Sequence, residues 1–306
     1  MSGVNSQLNM FPTSPNNVRS TEDNPPAFTV RFWGVRGSIP TSSPNTAFYG
    51  GNTPCVELTV NDQRLIFDGG TGLRLLGEKM CSDSPLDAHL FFTHTQLDRI
   101  QGFPFFRPAF YENNRVHVYG PTSTNGASIK HALAEQMVRP RFHVPLHQMK
   151  ADLSFQTLSA GTSINLDGVT VEAIMLNGDN SSLGYRVSWN DYTVVYATDS
   201  YGSGAQQSLF DLHADLLIFD AVQAGSDYYD PQSLNDLKQL STWTKSLETA
   251  MGLGAKQVVL FYLDPGHEDA FLSQLEKEVQ AIYPNVRIAQ EGKALTIGHR
   301  VKSEGQ

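Results

Sequence analysis

Several runs of apolar residues, each about the length of one strand, stop at a polar loop: RLIFDGG (64–70), AHLFFTH (88–94), DLLIFDAV (215–222) and QVVLFYLD (257–264). A strand that is apolar on both faces must be covered on both, so such runs call for layers above and below a sheet. Other stretches read as further strands: FTVRFWGVRGS from residue 28, CVELTV (55–60), VHVYG (116–120), TVEAIML (170–176), LGYRVSW (183–189) and YTVVYATD (192–199). CVELTV and RLIFDGG are joined only by NDQ, which predicts a hairpin. Helical spacing appears in GLRLLGEKM (72–80), SIKHALAEQM (128–137), STWTKSLETAMGLG (241–254) and HEDAFLSQLEKEVQAIY (267–283). Two strand-rich halves, each closed by helices, predict a sandwich of two sheets with helices on both outer faces.

Residues 1–27 are rich in Asn, Ser, Pro and Thr and too poor in apolar groups to offset the entropy of ordering, so they read as a mobile tail. Residues 28–306 show no linker-like change of composition and no internal repeat, which predicts one domain. The chain has 22 Lys and Arg against 31 Asp and Glu, a net charge of −9, and no basic run longer than a pair. That balance argues against nucleic acid or an anionic membrane as the main partner. The sequence has no membrane-length apolar stretch and no readable signal peptide, so a cytoplasmic location is expected. Cys55 and Cys81 lack metal or redox spacing and read as reduced core thiols.

In layered α/β folds, function gathers on loops at strand ends. Here those loops are 68–72 (DGGTG), 94–99 (HTQLDR), 177–182 (NGDNSS), 199–204 (DSYGSG) and 262–269 (YLDPGHED). They supply His94, Asp98 and Asp199, with His267 read as the start of a helix. Two catalytic metals would need roughly six or seven ligands, which is more than these residues offer.

RFWGVRGSIPT, YGGNTPCVEL, LIFDGGTG, FFTHTQLDRIQGFPFF, SLGYRV, VVYATDS and LFYLDPGHED, in this order, resemble the metallo-β-lactamase fold hydrolases over about residues 28–295. The similarity is greatest to the branch near cyclic-phosphate phosphodiesterases and transfer-RNA-processing nucleases. It implies an αββα four-layer sandwich, in agreement with the strand pattern. It also implies a metal motif, His-x-His-x-Asp-His, which here becomes His94, Gln96, Asp98 and Arg99. The bridging aspartate corresponds to Asp199, but other ligand histidines fall at Gly178, Leu240 and the Tyr262-Leu263 pair.

Gln96 offers only a neutral amide, and Arg99 places a permanent cation where a dication's ligand belongs. The expectation is that Arg99 replaces the positive charge of the metal and pairs with Asp98 or Asp199, so that no metal or other cofactor is held. His94 is expected to become a hydrogen-bonded structural residue, and Asp68 a turn organiser that caps the following helix. Arg36 and Ser38, on a Gly-flanked loop, are candidate ligand contacts in a vestigial pocket with His94, Gln96, Asp98, Arg99, Asp199 and Tyr262. GFPFFRPAFY (102–111) reads as core and lid packing or as an aromatic receiving surface, and the loop around SDYYD (226–230) as weak interface material. The functional expectation is a catalytically inactive binding or regulatory protein for a protein partner or a phosphate-bearing, nucleotide-like ligand, compatible with a homodimer. The alternative is a residual single-metal phosphodiesterase using His94, Asp98 and Asp199.

Overall fold

A computed structural model describes residues 27–81, 85–176, 182–198, 213–220, 247–248, 250–252 and 254–298. Two seven-stranded sheets pack face to face. Sheet one holds β1 (Phe28–Gly34), β2 (Cys55–Val60), β3 (Gln63–Phe67), β4 (Asp87–Phe91), β5 (Arg115–Gly120) and β6 (Asp152–Thr157), with β14 (Ala294–Ile297) beside β1. Sheet two runs in spatial order from β7 (Ser163–Leu166) through β8 (Val169–Met175), β9 (Leu183–Trp189), β10 (Tyr192–Ala197), β11 (Leu216–Asp220) and β12 (Val258–Phe261) to β13 (Val286–Ile288). Outside sheet one lie α1 (Gly72–Met80), the single turn α2 (Leu97–Ile100) and α3 (Ile129–Gln136), and α4 (Asp269–Ile282) closes the chain's second half.

The strand code explains the layers. β1 alternates buried and half-buried residues along its whole length, whereas β11 and β12 are buried at every position. Phe67 and Phe91 point into the interior between the sheets and pack with Tyr185 and Tyr196 of sheet two. The intervening residues Ile66 and Leu90 join a second core under α1, α3 and the 103–110 turns, where Phe103, Phe106 and Ala109 are fully buried. α4 turns Leu272, Leu275 and Val279 inward at helical spacing. The β2–β3 hairpin closes through Asn61 and Asp62, both in the left-handed region that a two-residue turn requires.

The expected αββα sandwich is therefore the observed fold. β6, β7, β13 and β14 add strands that the apolar pattern does not announce. β6 and β7 alternate only exposed and half-buried residues over most of their length and lie at the margins of their sheets. The aromatic 102–111 stretch is largely packing, although Phe105 and Tyr111 remain exposed. Most of the 241–254 segment, Gly178, Leu240 and the 226–230 loop lie outside the described residues; residues 247, 248 and 250–252 are helical. Both cysteines are free, and burial holds the Cys55 thiol well above its ordinary pKa. No helix among the described residues is long and apolar enough to cross a membrane.

Strands β3 to β6 are parallel, as are β10 to β13, so the C-terminal ends of each set open at one edge of their sheet. Loops from those ends carry the site.

Candidate functional site

Asp68 ends β3 in the left-handed region at φ 60°, and its N–H donates to the carbonyl of Phe91 at the end of β4. That pairing sets its carboxylate against the loop that follows β4. Oδ1 accepts from the Thr93 N–H at 2.8 Å and the Thr93 hydroxyl at 2.9 Å. Oδ2 accepts from Arg99 Nη1 at 2.7 Å and from the Tyr196 hydroxyl at 2.8 Å. The turn must approach closely: a side chain on Gly70 would collide with Thr53 Oγ1 and the carbonyl oxygen of Asp98.

Arg99 is 0% exposed and forms the centre of this cluster. Besides Asp68, Nη1 reaches the Tyr196 hydroxyl at 3.1 Å and Thr198 Oγ1 at 3.2 Å, while Nε stands 3.5 Å from Asp98 Oδ2. The guanidinium lies 4.4 Å from the centre of the Tyr262 ring, within range of a cation–π contact. Tyr262, itself at φ 59°, donates its hydroxyl hydrogen to Asp98 Oδ2 at 3.0 Å and accepts from the Ser38 N–H at 3.0 Å. The first of these bonds needs the phenol proton, so Tyr262 serves here as a neutral donor. The ion pair is charge-assisted and surrounded by hydroxyls, the arrangement a buried charge requires.

The structure thus brings Arg99, Asp98, Tyr262 and Ser38 together and adds Asp68, Tyr196, Thr93 and Thr198. Asp68 does not cap α1: the cap position is Thr71, which makes no side-chain cap bond. Among the described residues, Arg99 pairs with Asp68 at 2.7 Å and approaches Asp98 at 3.5 Å; Asp199 lies outside the described residues. Register explains the difference, because β3 and β4 are parallel neighbours and end side by side. His94 is buried and its Nδ1 accepts from the Gln96 N–H at 3.2 Å. Gln96 itself is exposed at the start of α2.

Arg36 is not part of the cluster. It is fully buried, donating to the carbonyls of Gly50 at 2.8 Å, Asp264 at 2.9 Å and His267 at 2.7 Å. Burial lowers its pKa despite nearby Asp269, Glu291 and Asp264. Its role in this geometry is to tie the 34–37 loop to the end of β12, where Arg36 and Leu263 form an isolated parallel bridge. His267 is likewise buried, which lowers its imidazole pKa, and precedes α4.

Among the described residues, this donor set does not fit a metal centre. A guanidinium holds one carboxylate and neighbours the other, the second imidazole position is an exposed amide, and Tyr262 and Leu263 are committed to Asp98 and to a backbone bridge. A different trio of ligand-type side chains lies at the start of β4 and along β5: Asp87, His89 and His117 each place one donor atom within 4.8 Å of the others.

The profile of the beta-lactamase superfamily domain matches residues 63–261, and the chain belongs to that family. A diphosphatase of the PhnP family is similar at 16% identity and a TM-score of 0.63, over 90% of this chain and 100% of that one. The metallo-beta-lactamase fold protein YhfI from Bacillus subtilis is similar at 16% identity and 0.61, over 88% and 98%. The short form of human tRNase Z gives 18% identity and 0.57, over 88% and 99%. At such identities these structures share the fold. No curated protein sequence matches the chain.

Proposed function

We propose that this chain is a catalytically inactive binding protein on a hydrolase fold, and that it engages a protein partner beside its former metal loop. The observation that carries this reading is the buried Arg99 guanidinium, 2.7 Å from Asp68 and 3.5 Å from Asp98. A cation fixed among the carboxylates does electrostatically what a metal ion would do, and supplies neither a Lewis acid nor a bound water.

A protein partner is favoured over a phosphate-bearing ligand because the two candidate arginines face inward. Arg36 and Arg99 are both 0% exposed and engaged with backbone or side-chain acceptors. In contrast, Leu97 is 66% exposed on the same turn as Asp98 and Arg99. It borders a surface cavity of about 360 Å³ shared with Thr95, Ile100, Ser123, Gln136 and Arg141. An exposed leucine at the mouth of a polar-rimmed hollow suits an apolar anchor from another protein.

The test combines metal analysis with binding. Protein purified without chelator or affinity metal is expected to carry no transition metal that depends on Asp98, and to leave simple phosphodiesters intact with added zinc or manganese. Metal lost on Asp98→Ala, or hydrolysis abolished by it, would instead establish a single-metal hydrolase built on His94, Asp98 and Asp199. A captured partner should be lost on Leu97→Glu. Thermal stabilisation by nucleotides, with no protein captured, would move the ligand class to phosphate compounds.

A further inference from the structure

The trio at the start of β4 is independent of the Arg99 cluster. Asp87 and His89 alternate along β4 and therefore point to one face, and the parallel register sets His89 opposite His117 on β5. Each ring already has one nitrogen engaged by a hydroxyl. His117 Nδ1 lies 2.8 Å from Ser154 Oγ, and His89 Nδ1 lies 3.2 Å from the Tyr119 hydroxyl. This assigns the Nε2 atoms to other partners, and His117 Nε2 already faces Asp87 Oδ1 at 3.1 Å. Outer hydrogen bonds on the far nitrogen are how proteins orient and tune ligand imidazoles.

We propose that Asp87, His89 and His117 bind one divalent transition-metal ion of the zinc class, bridging β4 and β5 at the end of the sheet away from the former metal loop. Two imidazole nitrogens and one carboxylate oxygen suit zinc, cobalt, nickel and copper, and disfavour magnesium and calcium. Three protein ligands leave a fourth position, and the Asp87 side chain is 54% exposed, so that position opens to water. The rings lie nearly parallel, at 15° with centroids 4.7 Å apart, and in-plane lone pairs of parallel rings do not meet at one point. Coordination therefore turns the His117 ring out of the stack, and its 29% side-chain exposure gives it room. Arg115, 4.0 Å from Asp87 and 66% exposed, is the cation the metal competes with.

The experiment uses the full chain, tag removed and stripped with chelator, titrated with Zn²⁺ against a chromogenic competitor and separately with Co²⁺. One equivalent should bind, and four-coordinate Co²⁺ should show its visible absorption bands. His117→Ala should abolish those bands and weaken Zn²⁺ by well over tenfold, and Ser154→Ala should weaken it by about tenfold through the outer hydrogen bond. Asp98→Asn should leave binding unchanged. Because His117 and Asp87 are partly exposed, their variants should fold, and a normal melting curve verifies that. Absence of saturable binding, or binding that survives both His117→Ala and Asp87→Asn, would overturn the site. Metal lost on Asp98→Asn but retained by His117→Ala would overturn it as well, and would also count against the inactive reading of the Arg99 cluster.

Discussion

Strand β4 carries charge at both of its ends in opposite ways. Beyond its C-terminal end, Arg99 is sealed between Asp68 and Asp98 with Tyr196, Thr198 and Tyr262 around it, all buried. At its N-terminal end, Asp87 is exposed, His117 is half-buried and His89 is buried but held neutral, its pKa near 4. The first cluster contains its own cation in a buried, hydrogen-bonded cage. The second offers donors to a cation, with water at hand. The Arg99 cage thus lies at the C-terminal edge of the sheet, and the Asp87, His89 and His117 donors lie at the other.

The sharpest way to break the contrast is Arg99→Met. It would leave the Asp68 carboxylate buried without its cation, and breaking one partner out of a buried pair costs roughly 3–5 kcal/mol. Chemical denaturation should show that loss. If the cage is as dry as its burial indicates, adding Asp68→Asn and Asp98→Asn to Arg99→Met should recover a large part of it, since a neutral isostere removes the stranded charge. A loss below about 1 kcal/mol for Arg99→Met would mean that water reaches Asp68, and the two ends of β4 would then be alike.

A smaller effect separates the two carboxylates of the cage. Asp68→Asn weakens the 2.7 Å contact to Arg99 and replaces acceptors for Thr93 and Tyr196, so it should cost about 1–3 kcal/mol. Asp98→Asn keeps an oxygen for Tyr262 and disturbs only a 3.5 Å approach, so its cost should be the lesser of the two. Equal costs in denaturant titrations would show that Arg99 divides its charge evenly.

The sheets were legible from apolar runs because burial on both faces leaves a pattern in one strand alone. The same logic could not find β6, since DLSFQT buries little and its pairing with β5 is visible only in three dimensions. At the site, the sequence identifies Arg99 as a cation out of place. It names Asp98, which Arg99 Nε approaches at 3.5 Å, but leaves out Asp68, because an aspartate before Gly-Gly reads as a cap and only the parallel ending of β3 and β4 turns Asp68 toward Arg99. Tyr196 sits inside a strand and carries no local sign of its hydroxyl's role. His89 and His117 are hidden for the same reason: each sits in an apolar strand, and only register makes them a pair.

The imidazole end should respond to acid where the arginine end does not. The folded-state pKa of His89, about 4, lies below its ordinary value of 6.5, so the unfolded chain binds the extra proton first. Stability contributed by neutral His89 is complete above pH 6.5 and is lost as pH falls toward 4. In chelator-containing buffer, the fall in melting temperature from pH 7 to pH 5 should be smaller in His89→Gln, by about 2–4 °C for each kcal/mol involved. An unchanged fall would show that His89 protonates freely in the fold.

The smallest effect should come from the outermost residues. The Asp87 contacts to His117 and Arg115 lie at the solvent edge, with side chains 54%, 29% and 66% exposed. Exposed pairs of this kind contribute about 0–1 kcal/mol, so His117→Ala and Asp87→Asn should each shift chelated-protein stability by no more than about 0.5 kcal/mol. With Zn²⁺ present, only the wild-type chain should gain melting temperature, because ligand binding to the native state raises stability by mass action. The contrast with Arg99→Met is then complete. At one end of β4 a side-chain charge is part of the folded structure, and at the other the donors cost the fold almost nothing and await a charge from solution. A large destabilisation by His117→Ala in chelator would place this residue among the structural polar groups, and the difference between the two ends would become one of degree.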